Sequence, residues 1–142
     1  MIKEEFKQLL SEEGNHRAFQ YKGYTCQIKR TNIEFSGHLC GYIEIPPSHE
    51  LYNMEYDDIE RKYDYEIPAH GSLTFSGQIG NRFWIGIDCG HLGDMNPCMH
   101  PSIPEWVHGG ETYKDMEFVQ NNLKQIIDYI ETSKIIGGVI NE

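Results

Sequence analysis

Apolar residues recur with two different periods along the chain, and the switch between them outlines its elements. Ile2, Phe6, Leu9 and Leu10 share one helical face over residues 1–13, and Gly14 closes the pattern, which predicts a short amphipathic N-terminal helix. A period of two takes over at residues 21–30 through Tyr24, Cys26 and Ile28. It returns at 38–45 through Leu39, the Gly41-Tyr42 pair, Ile43 and Ile45. Pro46-Pro47 stops this strand, because proline has no N–H to give to a ladder. No clean strand pattern follows up to Pro68, where the chain is rich in tyrosine (Tyr52, Tyr56, Tyr63, Tyr65) and in acids (Glu50, Glu55, Asp57, Asp58, Glu60, Asp64, Glu66). A connection this long inside one domain is commonly functional or carries structure of its own, and residues 54–62 are expected to form a short helix.

Two more strands are expected over residues 72–78 and 82–88, joined as an antiparallel hairpin by Ile79-Gly80-Asn81. The run Phe83-Trp84-Ile85-Gly86-Ile87 reads as a central, well-buried strand. A loop rich in Gly, Pro and His runs from Cys89 to Gly110. Thr112 is then expected to cap a long helix, with Asp115 in the reciprocal position of a capping box. Its apolar stripe is Tyr113, Met116, Val119, Leu123, Ile126, Ile127 and Ile130, which a core alone explains, and Gly137-Gly138 is expected to end it. The fold class that results is α+β. A roughly four-stranded antiparallel sheet is packed by a long C-terminal helix, with a short N-terminal helix, in a single domain spanning residues 1–142.

Composition narrows the functions. With 142 residues, 39% of them hydrophobic, the chain can bury an ordinary core without staples. Its net charge of −10 repels polyanions, so duplex nucleic acid is not an expected partner. The basic residues are partly gathered, since Arg17, Lys22, Lys29 and Arg30 form a stretch with no acid between Gly14 and Ile33. That stretch is either a solvated strand edge or an anion-facing wall of a pocket. Four cysteines at these spacings make no disulfide framework, which points to reduced thiols and a cytoplasmic setting. The acidic, amphipathic opening Met1-Ile2-Lys3-Glu4-Glu5 is not expected to be a secretory leader, and no apolar run approaches the roughly 20 residues that span a bilayer. Serine-nucleophile, phosphate-loop and dinucleotide-fingerprint patterns are missing, which sets ATPase and dehydrogenase chemistry aside.

The candidate chemistry gathers around the hairpin. His70-Gly71 precedes its first strand, and Asp88, Cys89, Gly90, His91, Leu92, Gly93 and Asp94 follow its second. Antiparallel pairing is expected to bring His70 beside Asp88 and His91. Two imidazoles and two carboxylates at a sheet rim support three chemistries. They can hold a divalent metal, for which His70, His91 and Asp94 are the candidate ligands. They can form an acid–base set in which Asp88 orients His91, with His70 alongside. They can also bind a small ligand unchanged, with Gly71, Gly90 and Gly93 letting the backbone approach closely. The same residues also have plain structural readings as turn and loop caps. The spacing fits no zinc motif, and Cys98-Met99-His100 and His108 add only weak further ligands. Cys89 is expected to face the core, opposite Asp88.

Four ordered runs carry a resemblance. They are Gly41-Tyr42-Ile43-Glu44-Ile45-Pro46-Pro47-Ser48-His49-Glu50-Leu51-Tyr52, then His70-Gly71-Ser72-Leu73-Thr74-Phe75, then Trp84-Ile85-Gly86-Ile87-Asp88-Cys89-Gly90-His91-Leu92-Gly93-Asp94, then Tyr113-Lys114-Asp115-Met116-Glu117-Phe118-Val119. Together they resemble a family of short proteins encoded by bacteriophages and prophages, over roughly residues 37 to 125. This chain departs from that pattern at Ser72 (usually Gly), Glu50 (usually Pro) and Phe83 (usually a second Trp). The resemblance implies an accessory protein that counters host defence, for instance by sequestering or destroying a nucleotide signal of the cyclic dinucleotide or cyclic ADP-ribose type. A sequestering protein, expected to be a homo-oligomer, would stack a base on Trp84 or Tyr113. It would hold ribose hydroxyls with Asp88 or Asp94, and phosphate with His70, His91 or Arg82. A phosphodiesterase would instead use His91 as general acid or base with Asp88 orienting it, or both on a metal. A third reading is an acidic protein–protein inhibitor that meets a basic partner through residues 50–66.

Overall fold

The computed structural model describes residues 11–31, 37–89 and 115–140. Five strands make one antiparallel sheet: β1 (His16–Tyr21), β2 (Tyr24–Arg30), β3 (Leu39–Ile45), β4 (Phe75–Ile79) and β5 (Arg82–Asp88), in the order β1-β2-β3-β5-β4. Helices α1 (Tyr56–Lys62) and α2 (Met116–Ile140) complete the described elements. Residues 11–13 are helical as well, and Gly14 ends that segment at φ +84°. The α+β class and the C-terminal helix are as the sequence pattern indicates, and the sheet has five strands instead of about four.

The extra strand is β1. Its inward positions are Arg17, Phe19 and Tyr21, an arginine and two partly buried aromatics, so its alternation is faint in the sequence. Lys22 and Gly23 both take positive φ, 49° and 84°, and so form the two-residue turn that matches the twist of an antiparallel pair.

Successive strand residues point to opposite faces. One face is the core: Tyr24, Cys26 and Ile28 from β2, Leu39, Ile43 and Ile45 from β3, then Phe83, Ile85 and Ile87 from β5, with Cys89 just beyond. Against them α2 lays Met116, Val119, Leu123, Ile126, Ile127 and Ile130, the stripe expected from its spacing. Each such fully buried side chain contributes roughly 1.5–3 kcal/mol. Gly41 sets how closely helix and sheet approach, because a Cβ there would lie 2.8 Å from Val119 Cγ1 and 3.0 Å from Leu123 Cδ2. The acidic segment after β3 joins this core through Leu51, Ile59 and Ile67, and Tyr52 packs edge-on against Phe83 at 5.5 Å.

Both ends of α2 differ from the sequence reading. Asp115 is itself the N-cap, its Oδ1 accepting the Phe118 N–H at 2.8 Å, so the helix begins at Met116. Thr112 lies outside the described residues. At the other end the helix runs through Gly137-Gly138 to Ile140. Glycine costs a helix about 1 kcal/mol relative to alanine, but it keeps its N–H, so the ladder continues where proline would break it.

Candidate functional site

The positions between the core residues form the sheet's second face, which points away from α1 and α2. Strand register aligns them in rows, since directly paired residues share a face. His16, Lys29, Cys40 and Asp88 make one row. Ala18, Gln27, Tyr42, Gly86 and Phe75 make the next. Glu44, Trp84 and Gly77 follow, and Arg82 pairs with Ile79 beside the hairpin turn.

A cavity of about 200 Å³ opens on this face, lined by Gln27, Lys29, Tyr42, Ile79, Arg82 and Trp84. Trp84 is only 5% exposed although it stands outside the core cluster. Gly86 makes room for Tyr42: a Cβ at residue 86 would lie 2.8 Å from the Gly41 carbonyl oxygen and 2.9 Å from Tyr42 Cδ1. Phe75 then meets the Tyr42 ring edge-on at 5.7 Å. Gly86→Ala is therefore expected to destabilise by about 1–3 kcal/mol, because a backbone oxygen cannot move aside as a side chain can. Urea unfolding measures this, and an unchanged midpoint would contradict the close approach.

Two cations face the cavity, and they are held differently. Arg82 makes a loose ion pair with Glu44 at 3.5 Å, its side chain 56% exposed. Lys29 makes no ion pair among the described residues. The other cations of the N-terminal basic stretch are committed: Arg17 to Glu117 at 3.2 Å, Lys22 to Asp128 at 2.6 Å, and Arg30 to Glu13 at 2.7 Å. The stretch therefore divides, and Lys29 is its member that reaches the cavity. Burial, with Cys40 and Asp88 nearby, pushes the Tyr42 hydroxyl up to about 12. Burial and Asp88 push the Cys40 thiol up to about 11. Both groups are neutral near pH 7, so Cys40 is no ready nucleophile and Tyr42 is a hydrogen-bond donor.

Of the residues singled out in the sequence, Trp84 and Arg82 meet in this cavity, and Asp88 stands on the same face two strands from Lys29. His70 is carried to the other layer. The hairpin ladder ends at the Thr74 N–H to Gly86 carbonyl bond of 2.9 Å, and Gly71 and Ser72 then turn the chain at φ 66° and 74°. The His70 N–H bonds Asn122 Oδ1 on α2 at 2.9 Å, and its ring meets Phe118 edge-on at 5.1 Å. This turn ties His70 to α2 through Asn122 and Phe118, while Asp88 stands in the row of Cys40 and Lys29. His91, Asp94 and Tyr113 lie outside the described residues, as do Gly90, Gly93, Cys98, His100 and His108. Among the described residues no three His, Cys, Asp or Glu side chains gather as a metal-binding set, and no helix is long and apolar enough to cross a membrane. In the acidic segment, Asp58 pairs with Arg61 at 2.8 Å and Glu50 lies 3.8 Å from Lys62. Comparisons with protein-family models, curated proteins and solved structures find no match to this chain. The site's own chemistry therefore carries the functional reading.

Gln27, Tyr42 and Ile79 escape the sequence reading. The available signal was the polar half of the alternation, Thr25, Gln27 and Lys29 in β2 with Tyr42 and Glu44 in β3, which marks a second face worth reading in its own right.

A separate titratable chain ties the turn after β3 to α2. His49 Nδ1 accepts the Leu51 N–H at 3.0 Å, which places the imidazole proton on Nε2. Nε2 donates to the Tyr24 hydroxyl at 2.9 Å, and that hydroxyl donates to Glu131. Burial first, then Lys134, lowers the His49 pKa below 6.5 against the pull of Glu50 and Glu131. The Tyr24 hydrogen bond lowers that of Glu131 below 4.5. A group depressed in the folded state adds stability that is complete above its unfolded value and is lost as pH falls through its folded value. The melting temperature is thus expected to decline from pH 6.5 downward, first through His49 and then through Glu131. His49→Asn should remove the earlier part of that decline, and a melting profile identical in the variant would contradict this assignment.

Proposed function

We propose that the protein binds a small nucleotide-type ligand, an aromatic ring carrying phosphate, in the open-face cavity and holds it unchanged. The observation that carries this reading is the presence of two aromatic rings, Tyr42 and Trp84, and two cations, Lys29 and Arg82, around one cavity. A base stacked on such a ring gains about 1–3 kcal/mol. Charge-assisted bonds from lysine and arginine to phosphate are roughly twice as strong as neutral ones. In a chain of net charge −10, cations kept at a concave aromatic surface favour an anionic ligand. The neutral Cys40 and Tyr42 offer the ligand a hydrogen-bonding wall and no anionic nucleophile near pH 7. The resemblance to phage and prophage proteins supports a biological form for this activity: sequestration of a host immune signal of the cyclic dinucleotide or cyclic ADP-ribose type.

Thermal melting against a panel of mononucleotides, cyclic dinucleotides and cyclic ADP-ribose isomers tests this, with each mixture then separated by chromatography. A ligand at a hundred times its dissociation constant should stabilise by about 2.7 kcal/mol, a rise of several degrees. The expected result is such a rise with the ligand recovered intact. Recovery of cleaved ligand would replace the binder with a phosphodiesterase, and a flat response to the whole panel would overturn the nucleotide reading.

A further inference from the structure

We infer that the cavity is built for a ligand with two separated anionic groups, of the nucleoside bisphosphate class, with Lys29 holding one group and Arg82 the other. This rests on the nucleotide reading above and adds to it the number and placement of the charges.

The placement follows from register. Lys29 pairs with Cys40, and Cys40 pairs with Asp88 at one end of β5. Arg82 stands at the opposite end of the same strand, beside the hairpin turn. Along the strand that separation is roughly 20 Å and across two strands about 10 Å, which together put the two backbones about 22 Å apart. Both side chains nevertheless line one cavity, so they enter it from opposite ends. The aromatic residues lie between them, Tyr42 in the row next to Lys29 and Trp84 in the row before Arg82.

A ligand with one phosphate satisfies one end only. If it sits at Lys29, Arg82 keeps its loose contact with Glu44. If it sits at Arg82, Lys29 is left to solvent. A nucleoside bisphosphate carries its two anions on the 3′ and 5′ positions of one ribose, so the sugar can lie between Lys29 and Arg82 with the base against the aromatic lining, and it satisfies both cations at once and displaces Glu44 from Arg82. A charge-assisted hydrogen bond to the second anion should raise affinity about tenfold or more.

The test is calorimetric titration with adenosine, AMP and adenosine 3′,5′-bisphosphate, on the wild type and on Lys29→Ala and Arg82→Ala. The bisphosphate is expected to bind at least tenfold tighter than AMP, and each variant should lower it to about the level of AMP. Lys29→Met and Arg82→Met replace the alanine variants if those melt early. Equal binding of AMP and bisphosphate by the wild type would overturn the two-anion inference and leave the nucleotide reading standing. Retention of the full bisphosphate preference by either variant would do the same. No binding of any of the three compounds would overturn the inference together with the reading beneath it.

Discussion

Arg30→Ala is expected to destabilise the fold by about 3–5 kcal/mol, the loss seen when one partner of a buried ion pair is removed. The Arg30 side chain is 2% exposed and that of Glu13 is 9%. The guanidinium donates to Glu13 Oε1 at 2.7 Å, to the carbonyls of Gly14 and Gly37 at 2.9 Å each, and to Asn15 Oδ1 at 3.0 Å. Glu13 uses its second oxygen to accept the Met116 N–H at 2.8 Å, at the first residue of α2. One arginine thus ties the end of the N-terminal helical segment, the far end of β2 and the start of α2. Alanine would take from Glu13 its buried counter-charge and from the carbonyls of Gly14 and Gly37 their arginine donor, which is the costly half of hydrogen-bond energetics. At about 2–4 °C per kcal/mol for a chain near this size, the melting temperature should fall by roughly 10 °C. Arg30→Lys should recover little, because an ammonium group cannot reproduce the planar fork. Arg17→Ala is the internal control, since its ion pair with Glu117 is solvent-exposed and such pairs contribute about 0–1 kcal/mol. Equal losses for Arg30→Ala and Arg17→Ala would contradict the role given to Arg30.

Lys29→Glu is expected to weaken nucleotide binding about a hundredfold while leaving the melting temperature of the ligand-free protein nearly unchanged. The first part combines a lost charge-assisted bond of about 1.5–3 kcal/mol with a new repulsion between carboxylate and phosphate. The second follows from the placement of Lys29, an exposed residue whose charge offsets no acid among the described residues. Raising ionic strength should narrow the difference between the two proteins, because exposed charges are screened. Calorimetry at two salt concentrations reads both effects. A variant that binds as tightly as the wild type would move the ligand away from this cavity.

The layers of this fold are legible in the sequence where one periodicity dominates. The stripe from Met116 to Ile130 and the alternation of Leu39, Ile43 and Ile45 each specify a buried face, and those residues are the core. Legibility fails where a local choice overrides the pattern. β1 buries an arginine stem and two aromatics, so its strand period is faint. Asp115 caps α2 directly, although Thr112 presents the more familiar capping sequence. The site shows the same division. Trp84 and Arg82 could be picked out because both stand on the one strand that leads into the candidate run from Asp88 to Asp94. Gln27 and Tyr42 become site residues only through the registers β2–β3 and β3–β5, which are long-range pairings that no local spacing encodes. The contacts of His70 to α2 are likewise invisible to local reasoning. Two successive left-handed residues and a bond from Asn122, far along the chain on α2, take it off the hairpin.

The most direct test of the cavity as a nucleotide site is the fluorescence of Trp84 itself. The chain has two tryptophans, so a Trp106→Phe background leaves Trp84 as the sole reporter. Titration with a nucleotide that raises the melting temperature should then give a saturable change in emission as the ligand fills the cavity that Trp84 lines. Its midpoint should match the calorimetric one, and Lys29→Glu should shift it about a hundredfold. A nucleotide that stabilises the protein yet leaves Trp84 emission unchanged would place the ligand elsewhere and contradict this account.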